Sequence, residues 1–571
     1  MKKIIIYLLP VMMGICLITC KKDNFLQDGS LTPEGFLTDE QEWGNPDFAR
    51  NFLNNVYSTL QMRFNLDADG AMLSSGSDEA VNSNLNSTVN IFNNGTWSPV
   101  RVFDDVYNSM YTGIRKANLF LLKAPTSAII PSDGLTFQED VARLRGEAFF
   151  LRAYFEFELV KRYGSMILVT TVLKPTDKLD LPRNTFDECV NQIVSDCDSA
   201  IAVLPEWTQS WTVGTDKSKF GRATQTAALA LKSRLLLYAA SPQYNPSGDP
   251  AKWQKAADAA KTLIDRGKHS LYSSYPNLFL WNINGAAYNN EVIFATSTLN
   301  DASVETNNAP VSFDGANGRT NPTQDLVDAF EMKTTGKPIS DAGSGYNSTA
   351  PYANRDPRLT FTVLYNGSTF KNKTVDIYSG GKDGIGANVN ATKTGYYMKK
   401  FLADAAVWNS SSNTNVRKPW VIFRYAEVLL NYAEALNEAQ GPAALSEVLK
   451  TVNQVRQRTG VLMPALQTTN SAGNGYLIPS KEAIRSRIHN ERRVELCFEE
   501  HRFYDIRRWK EGEIAFNKPV SGIQATLVSP GVFTYQPFVV ESRVFTSKNY
   551  LFPITQVELN RAPALKQNPG Y

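Results

Sequence analysis

Cysteine and histidine are scarce in this chain, five and three in 571 residues. That scarcity excludes a disulfide-built domain and a His/Cys metal cluster. Past Cys16 and Cys20 there are Cys189, Cys197 and Cys497. Cys189 and Cys197 share a helix-like stretch in which eight residues span about 12 Å, too far for a bridge, so they read as small apolar fillers. His269, His489 and His501 are scattered without metal-ligand spacing. No charge of one sign dominates: 59 Lys+Arg stand against 56 Asp+Glu, and no long basic stretch offers a partner to a nucleic-acid backbone. Long apolar runs are missing beyond the first twenty residues. What is abundant is core material, since 43% of residues are hydrophobic, ample for one or two large domains.

The one apolar run is at the start. Lys2 and Lys3 precede Ile4 to Ile18, which is too short to span a bilayer comfortably and reads as a secretory signal. Leu17-Ile18-Thr19-Cys20 resembles the bacterial lipobox, in which cleavage precedes a cysteine that then receives lipid. Thr19 is looser than the usual Gly, Ala or Ser. Cys16 competes, but Ile15 is a poor residue before a cut. An ordinary secretory signal with an incidental cysteine is the alternative. On the main reading residues 1–19 are removed, taking Lys2 and Lys3 with them, and the formal charge falls from +3 to +1. Cys20 then tethers residues 20–571 to a membrane.

The rest is patterned for helices. Leu429, Tyr432, Ala433 and Leu436 recur at the 3.6-residue period; Gly441-Pro442 breaks it, and Leu445, Val448, Leu449, Val452 and Val455 resume it until Gly460. Tyr425 to Arg458 spans 34 residues, the tetratricopeptide (TPR) period. A similar pair runs through Ala228, Leu231, Leu235 and Tyr238, then Trp253, Ala256, Ala257, Ala260 and Ile264. Leu144, Ala148, Leu151, Phe155 and Leu159 predict a third amphipathic face. Ile484 and Ile488 predict a fourth that runs on past Phe498. Between these helices lie long polar segments, 65–99, 282–322, 335–356, 366–395 and 404–416, which a plain TPR solenoid does not carry. The fold expected is mainly α, paired helices with long irregular loops and little β structure.

Several blocks make the chain recognisable. Leu144-Arg145-Gly146-Glu147-Ala148-Phe149-Phe150-Leu151-Arg152-Ala153-Tyr154-Phe155 leads to Lys161-Arg162-Tyr163-Gly164. Asn354-Arg355-Asp356-Pro357-Arg358-Leu359, Arg424 to Leu430, Val455-Arg456-Gln457-Arg458, Glu491 to Leu496 and His501 to Trp509 follow in order. The chain closes on Leu551-Phe552-Pro553-Ile554 and Gln567-Asn568-Pro569-Gly570-Tyr571. Together, over 20–571, they resemble the SusD/RagB family of Bacteroidetes surface lipoproteins. The resemblance implies a signal peptide at 1–19 and one SusD-like fold at 20–571, with interleaved parts 20–320 and 321–571. It implies an outer-membrane, lipid-anchored protein facing the cell exterior that binds a nutrient, most often a glycan. Such a protein is non-catalytic and acts as a lid over a SusC-like TonB-dependent transporter. Lys21-Lys22 depart from the acidic residues that favour outward export.

The matching blocks read as structural. Glu491, Glu495 and Glu499 fall at i, i+4, i+8, but Arg492, Arg493 and Arg502 in the same stretch make ion pairs the simpler account than acid–base chemistry. His489-Asn490-Glu491 is not a zincin motif, and Arg355 to Arg358 reads as a loop clamp. Asp67-Ala68-Asp69-Gly70 begins like a calcium loop but lacks Gly at position 6 and has Asp78, not Glu, at position 12; a solvated turn and a calcium site are both open, and no other cofactor is expected.

A glycan site needs aromatic faces for C–H groups and short polar side chains for hydroxyls. Two stretches have that composition: Ser77 to Trp97, and Trp281 to Asn321. The candidates are Asp78, Asn82, Trp97, Trp281, Tyr288, Phe313 and Arg319, with Trp97 as leading platform and Asp78 and Arg319 as hydrogen-bonding partners. For each aromatic, a buried loop anchor is the competing reading. Oligopeptide capture by the same architecture, a surface glycosidase or peptidase, and a TPR adaptor are the alternative functions.

Overall fold

The computed structural model describes residues 43, 46–66, 69–124, 137–207, 221–280, 289–300, 302–408 and 416–571. The leader, Cys20, Asp67, Trp281 and Tyr288 lie outside them. The helices that carry the frame are α1 (Pro46–Tyr57), α2 (Tyr107–Lys123), α3 (Phe137–Tyr163), α4 (Phe186–Val203) and α5 (Gln225–Ala240). They continue as α6 (Pro250–Asp265), α7 (Tyr425–Gln440), α8 (Leu445–Arg456), α9 (Lys481–Glu495) and α10 (His501–Arg508). The principal strands are β1 (Ala80–Asn82), β2 (Val292–Asn300), β3 (Thr320–Pro322), β4 (Arg417–Arg424), β5 (Val520–Ser529) and β6 (Val532–Glu541). They pair two by two and antiparallel: β1 with β3, β2 with β4, β5 with β6. The expectation of a mainly helical fold with little β structure holds.

Local chemistry sets the helix ends. Thr185 and Glu188 form a reciprocal capping box on α4, the Thr185 hydroxyl accepting from the Glu188 N–H at 3.2 Å. Asp249 caps α6 ahead of Pro250 in its first turn, and Ser480 caps α9. Gly441 ends α7 at φ 57° and ψ −135°, a conformation nearly confined to glycine, and turns the chain into α8. The predicted 34-residue helix pair is therefore present.

Successive helices pack on one another from α2 to α6, and α6 packs on α7 although about 160 residues separate them. The segment between them leaves the stack, builds loops, and returns to the neighbouring place. Two expectations fail. The α3 stretch is not amphipathic, because every residue from Phe150 to Val160 is buried. Two of its polar members are paired inside, Arg152 with Asp196 at 2.7 Å and Glu158 with Arg162 at 2.6 Å, while the buried Glu156 carboxyl has no hydrogen-bond partner among the described residues. A polar period on a central helix records internal ion pairs as readily as a wet face. The fourth helix also stops at Glu495 instead of running past Phe498. Phe498 and Glu500 adopt φ of 63° and 68°, and helix resumes only at His501. Cys189, Cys197 and Cys497 are free and buried, as fillers should be.

The break at Leu496–Glu500 serves a buried charge network. Arg424 reaches Glu291 at 2.8 Å, Glu495 at 2.7 Å and Glu499 at 2.7 Å. Arg458 shares Glu291 and Glu495. Arg358 binds Asp356, Glu491 and Glu495 at 2.7, 2.7 and 2.9 Å, and Arg456 binds Glu331 and Glu491. Lys400 closes on Glu499 at 2.7 Å. Glu491, Glu495 and Glu499 are thus ion-paired, as expected, but with partners distant in sequence; the neighbouring Arg492 pairs with Asp505, and Arg493 and Arg502 pair with Asp78. The clamp reading of Arg355 also holds: its guanidinium donates to the carbonyls of Val327, Phe330 and Pro351. A second cluster joins Glu434 to Arg508 and Arg492, and both arginines to Asp505.

Burial alone would raise the Glu434 carboxyl, but Arg508 and Arg492 outweigh it and bring the pKa down to about 2. Glu495 is held below its ordinary range in the same way, burial being outweighed by Arg458, Arg424 and Arg358. A depressed folded pKa contributes stability that is complete above the unfolded value of about 4.3 and is lost as pH falls through the folded one. Thermal melts should therefore decline steeply below pH about 4. Glu495→Gln, which strips charge from three buried arginines, should cost about 3–5 kcal/mol in denaturant unfolding at pH 7.

Candidate functional site

The pairing of β1 with β3 brings the two predicted stretches together, with Asn82 opposite Thr320 and the Ser83 N–H donating to Arg319 O at 2.9 Å. The side chains named there are differently employed. Asp78 pairs with Arg502 at 2.8 Å and Arg493 at 3.0 Å. Asn82 is buried, its amide donating to the Ser87 hydroxyl and its carbonyl accepting from the Asn84 N–H. Trp97, at 1% exposure, is no platform. It packs edge-on against Phe552 at 4.6 Å and Phe92 at 5.4 Å, so the buried-anchor reading wins. The polar residues around it serve turns, with Asn84 accepting from the Asn86 N–H and Asn94 from the Thr96 N–H, and the exposed Asn86 and Asn94 face water without an open aromatic ring at Trp97. Phe313 is mostly covered and meets Phe370 edge-on at 5.2 Å. Arg319 is half-buried and donates to Asn390 Oδ1 at 3.1 Å.

The loop carrying Phe313 borders a more promising feature. Ser312 with Gly380, Gly381, Lys382, Ile385, Gly386 and Ala387 lines a cavity of about 520 Å³. Asp383 fastens this loop from within, accepting from Ser312 N at 2.8 Å, Ser312 Oγ at 2.9 Å and Asp376 N at 3.2 Å. Burial pushes its carboxyl up, and the Ser312 and Asp376 bonds pull it back. The turn is too tight for side chains, since a Cβ on Gly384 would lie 2.1 Å from Tyr378 O.

Aromatic rings stand along the edge of this loop. Ser379 N donates to Ala525 O at 2.8 Å, docking the loop on β5 and setting the Tyr378 ring 5.5 Å from Phe533. Phe533 and Tyr535, two residues apart on β6, point to the same side. Tyr535 meets Tyr352 at 5.5 Å, and Tyr352 stacks on Tyr365 at 4.1 Å. All five rings are half-buried, in contact with solvent on part of their surface. Trp408 lies on the other side of Phe313, its indole N–H donating to Asp314 O at 2.9 Å. None of these rings is among the sequence candidates. The signal was available: they fall in or beside the polar segments 335–356, 366–395 and 404–416, or alternate along a strand.

Two other cavities differ in character. One of about 740 Å³ lies between α4, α5 and α6 over an aliphatic floor that includes Val190, Val194, Leu229 and Leu236. Another, about 390 Å³, is lined by Tyr275, Phe279, Phe361, Phe401 and Lys399 among others. Asp78 and Glu79 have the divided pKa values of an acid–base pair. Burial, then the Asp78 charge, raises Glu79 to about 8; at Asp78, Arg493 and Arg502 outweigh burial and lower the pKa. Neither lines the three cavities above, and Asp78 is spent on arginines. Asp69 accepts from Ala71 N at 2.9 Å, the bond of a turn. Among the described residues no group of three His, Cys, Asp or Glu is placed to hold a metal ion.

The difference between anchor and rim is measurable. Trp97→Ala should cost about 3–5 kcal/mol, the range for emptying a buried aromatic site. Phe533→Ala should cost less than about 2 kcal/mol, because its ring is already half in water. Paired thermal and urea melts of the two variants would check this.

Comparison with known proteins gives consistent matches. Residues 290–571 match the model of the SusD family, and residues 47–237 match a model described as starch-binding associating with outer membrane. A SusD-like protein of Formosa agariphila is 26% identical over 446 residues, covering 76% of this chain and 75% of its own. A SusD-like protein structure from Bacteroides fragilis superposes with a TM-score of 0.77 at 29% identity, covering 94% of this chain and 99% of that one. A second B. fragilis structure, described as a SusD-like carbohydrate binding protein, gives 0.75 at 25% identity, covering 92% and 99%.

Proposed function

The chain belongs to the SusD/RagB family, and on that premise we propose that it captures an oligosaccharide at the loop face and hands it on unchanged. The observation that carries this reading is the band of half-buried rings from Tyr378 and Phe533 to Tyr365, set beside a glycine-floored polar cavity. Sugar rings stack their C–H faces on such aromatics, while backbone groups of a glycine loop and the Lys382 ammonium reach hydroxyls. A related carbohydrate-binding protein of the same fold supports the ligand class.

Delivery completes the proposal. Cys20 carries the lipid that holds the protein at the outer membrane, facing outward, and a SusC-like TonB-dependent transporter receives the glycan. The helical frame, which carries the 740 Å³ groove, is the side available to that transporter. The role is binding without catalysis. The Asp383 carboxyl, next to Lys382 of the cavity lining, is committed to Ser312 and to the Asp376 N–H, so it is not held free as the acid or base of a glycosidase pair.

Calorimetry with a soluble form beginning at Lys21, against plant, host and microbial oligosaccharides and peptide pools, tests the proposal. Saturable glycan binding is expected, weakened about three- to tenfold by Tyr378→Ala and by Phe533→Ala singly, with the fold intact. Binding that survives both changes would move the site to the Phe361–Lys399 cavity. Binding of peptides alone would replace glycan by oligopeptide, and release of reducing ends from a bound glycan would restore the enzyme reading.

A further inference from the structure

Resting on the reading of the loop face as a glycan site, we infer that the glycan it takes is anionic, bearing carboxylate or sulfate groups. The cations around loop 309–319 carry the argument. Lys382 is exposed and lines the cavity. Lys373 is exposed with its ammonium 5.7 Å above the Phe313 ring, and Lys371 sits 4.7 Å above Trp408. Arg319 and Lys393 flank the next turn, donating to Asn390 Oδ1 at 3.1 Å and Val389 O at 3.0 Å.

Among the described residues, none of the five has a carboxylate oxygen within the 4.0 Å of an ion pair. Their polar partners are neutral oxygens: an amide, and the carbonyls of Val389 and Ala406. Some exposed cations elsewhere find acids, as Lys261 does with Asp265 at 2.7 Å and Arg561 with Glu558 at 2.8 Å, and others, such as Lys255 and Lys268, make no ion pair among the described residues. What sets these five apart is that they gather around one loop.

Acids approach the cluster but are fewer or engaged. Asp383 faces inward to Ser312 beside Asp376, Glu305 is taken by Lys418, Asp404 influences Lys371 and Asp69 influences Arg319 from a distance, and Asp314 stands exposed in the loop itself. Burial lowers the pKa of Lys371, Lys393 and Arg319, so their charges are held at a cost that an arriving anion would relieve. Arg319 Nε is also buried with no acceptor. Lys382 is the charged side chain of the cavity lining, and the Ser312 hydroxyl proton is already given to Asp383, so a cation dominates what the lining's side chains offer a ligand. A neutral sugar takes only a hydrogen bond from such a cation; an acidic one also pairs its charge.

The test uses the chain from Lys21 with three calorimetric probes at 50 and 300 mM NaCl: oligogalacturonides, carrageenan oligosaccharides and neutral galactan oligosaccharides. Expected is binding of at least one acidic series at least tenfold tighter than galactan, weakening several-fold in the higher salt. Lys382→Gln and Lys373→Gln, both at exposed positions, should each weaken it about two- to fivefold. Lys255→Gln, on α6 and remote from the loops, should leave it unchanged. The carboxylate and sulfate arms identify which group is read. Galactan bound as tightly as either acidic series would overturn the inference and leave the glycan reading standing. Equal losses from Lys255→Gln would overturn it too, by showing attraction to charge anywhere on the surface. Silence from all three probes would overturn the inference, while the wider oligosaccharide panel decides the glycan reading.

Discussion

The carboxylate of Glu495 is the point from which the loop face hangs. It accepts from Arg358, Arg424 and Arg458 at once, and each of those arginines belongs to a different part of the chain. Arg358 begins a short helix among the loops, Arg424 ends β4 at the start of α7, and Arg458 lies just past α8. Sharing of partners through Glu291, Glu491 and Glu499 extends the net until loops and helices cannot shift independently. Buried ion pairs add little net stability over apolar packing, but removing one member leaves stranded charge, so the arrangement fixes relative position strongly. The left-handed residues Phe498 and Glu500 are what the chain accepts to bring Glu499 back toward Arg424.

Rigidity at that depth holds the shallow loop surface above it in place. The segment between α6 and α7 carries only short helices and strands, yet its loops are positioned through Glu291, Glu331, Arg358 and Lys400 at their roots. Further out, Asp383 ties the glycine loop to Ser312, and Tyr378 to Ser379 dock on β5. Orientation is passed outward from buried charge, through hydrogen-bonded turns, to half-exposed rings. Glycan recognition of moderate affinity needs such preorganisation because stacking and single hydrogen bonds are individually weak.

The helical frame was legible because its signals are local. Apolar spacing and the Gly441-Pro442 break each report on nearby chain, and the structure agrees with most of them. Arginines of the family blocks instead find carboxylates far along the chain, as Arg358 does with Glu491, more than a hundred residues away. The α3 stretch misled because charged residues at helical spacing look alike whether water or Asp196 receives them. The end of α9 was missed because nothing local marks it; the reason for the break lies in Arg424, some seventy residues earlier in the chain. The site was the least legible part. Trp97 and Phe533 are both aromatic residues near polar neighbours, and only tertiary contacts with Phe92, Phe103 and Phe552 bury the first and leave the second open. The two stretches chosen do lie side by side, but through β1 and β3 backbone pairing and not through a shared ligand surface.

That α6 touches α7 across the long excursion has an evolutionary consequence. The excursion begins and ends at one place, so lengthening it costs only the slow, logarithmic entropy of closing a larger ring, about 0.6 kcal/mol for each doubling. A lineage can therefore trade out the outer turns wholesale, keeping four charged roots and an unaltered handle, and so try new cargo without re-evolving a scaffold.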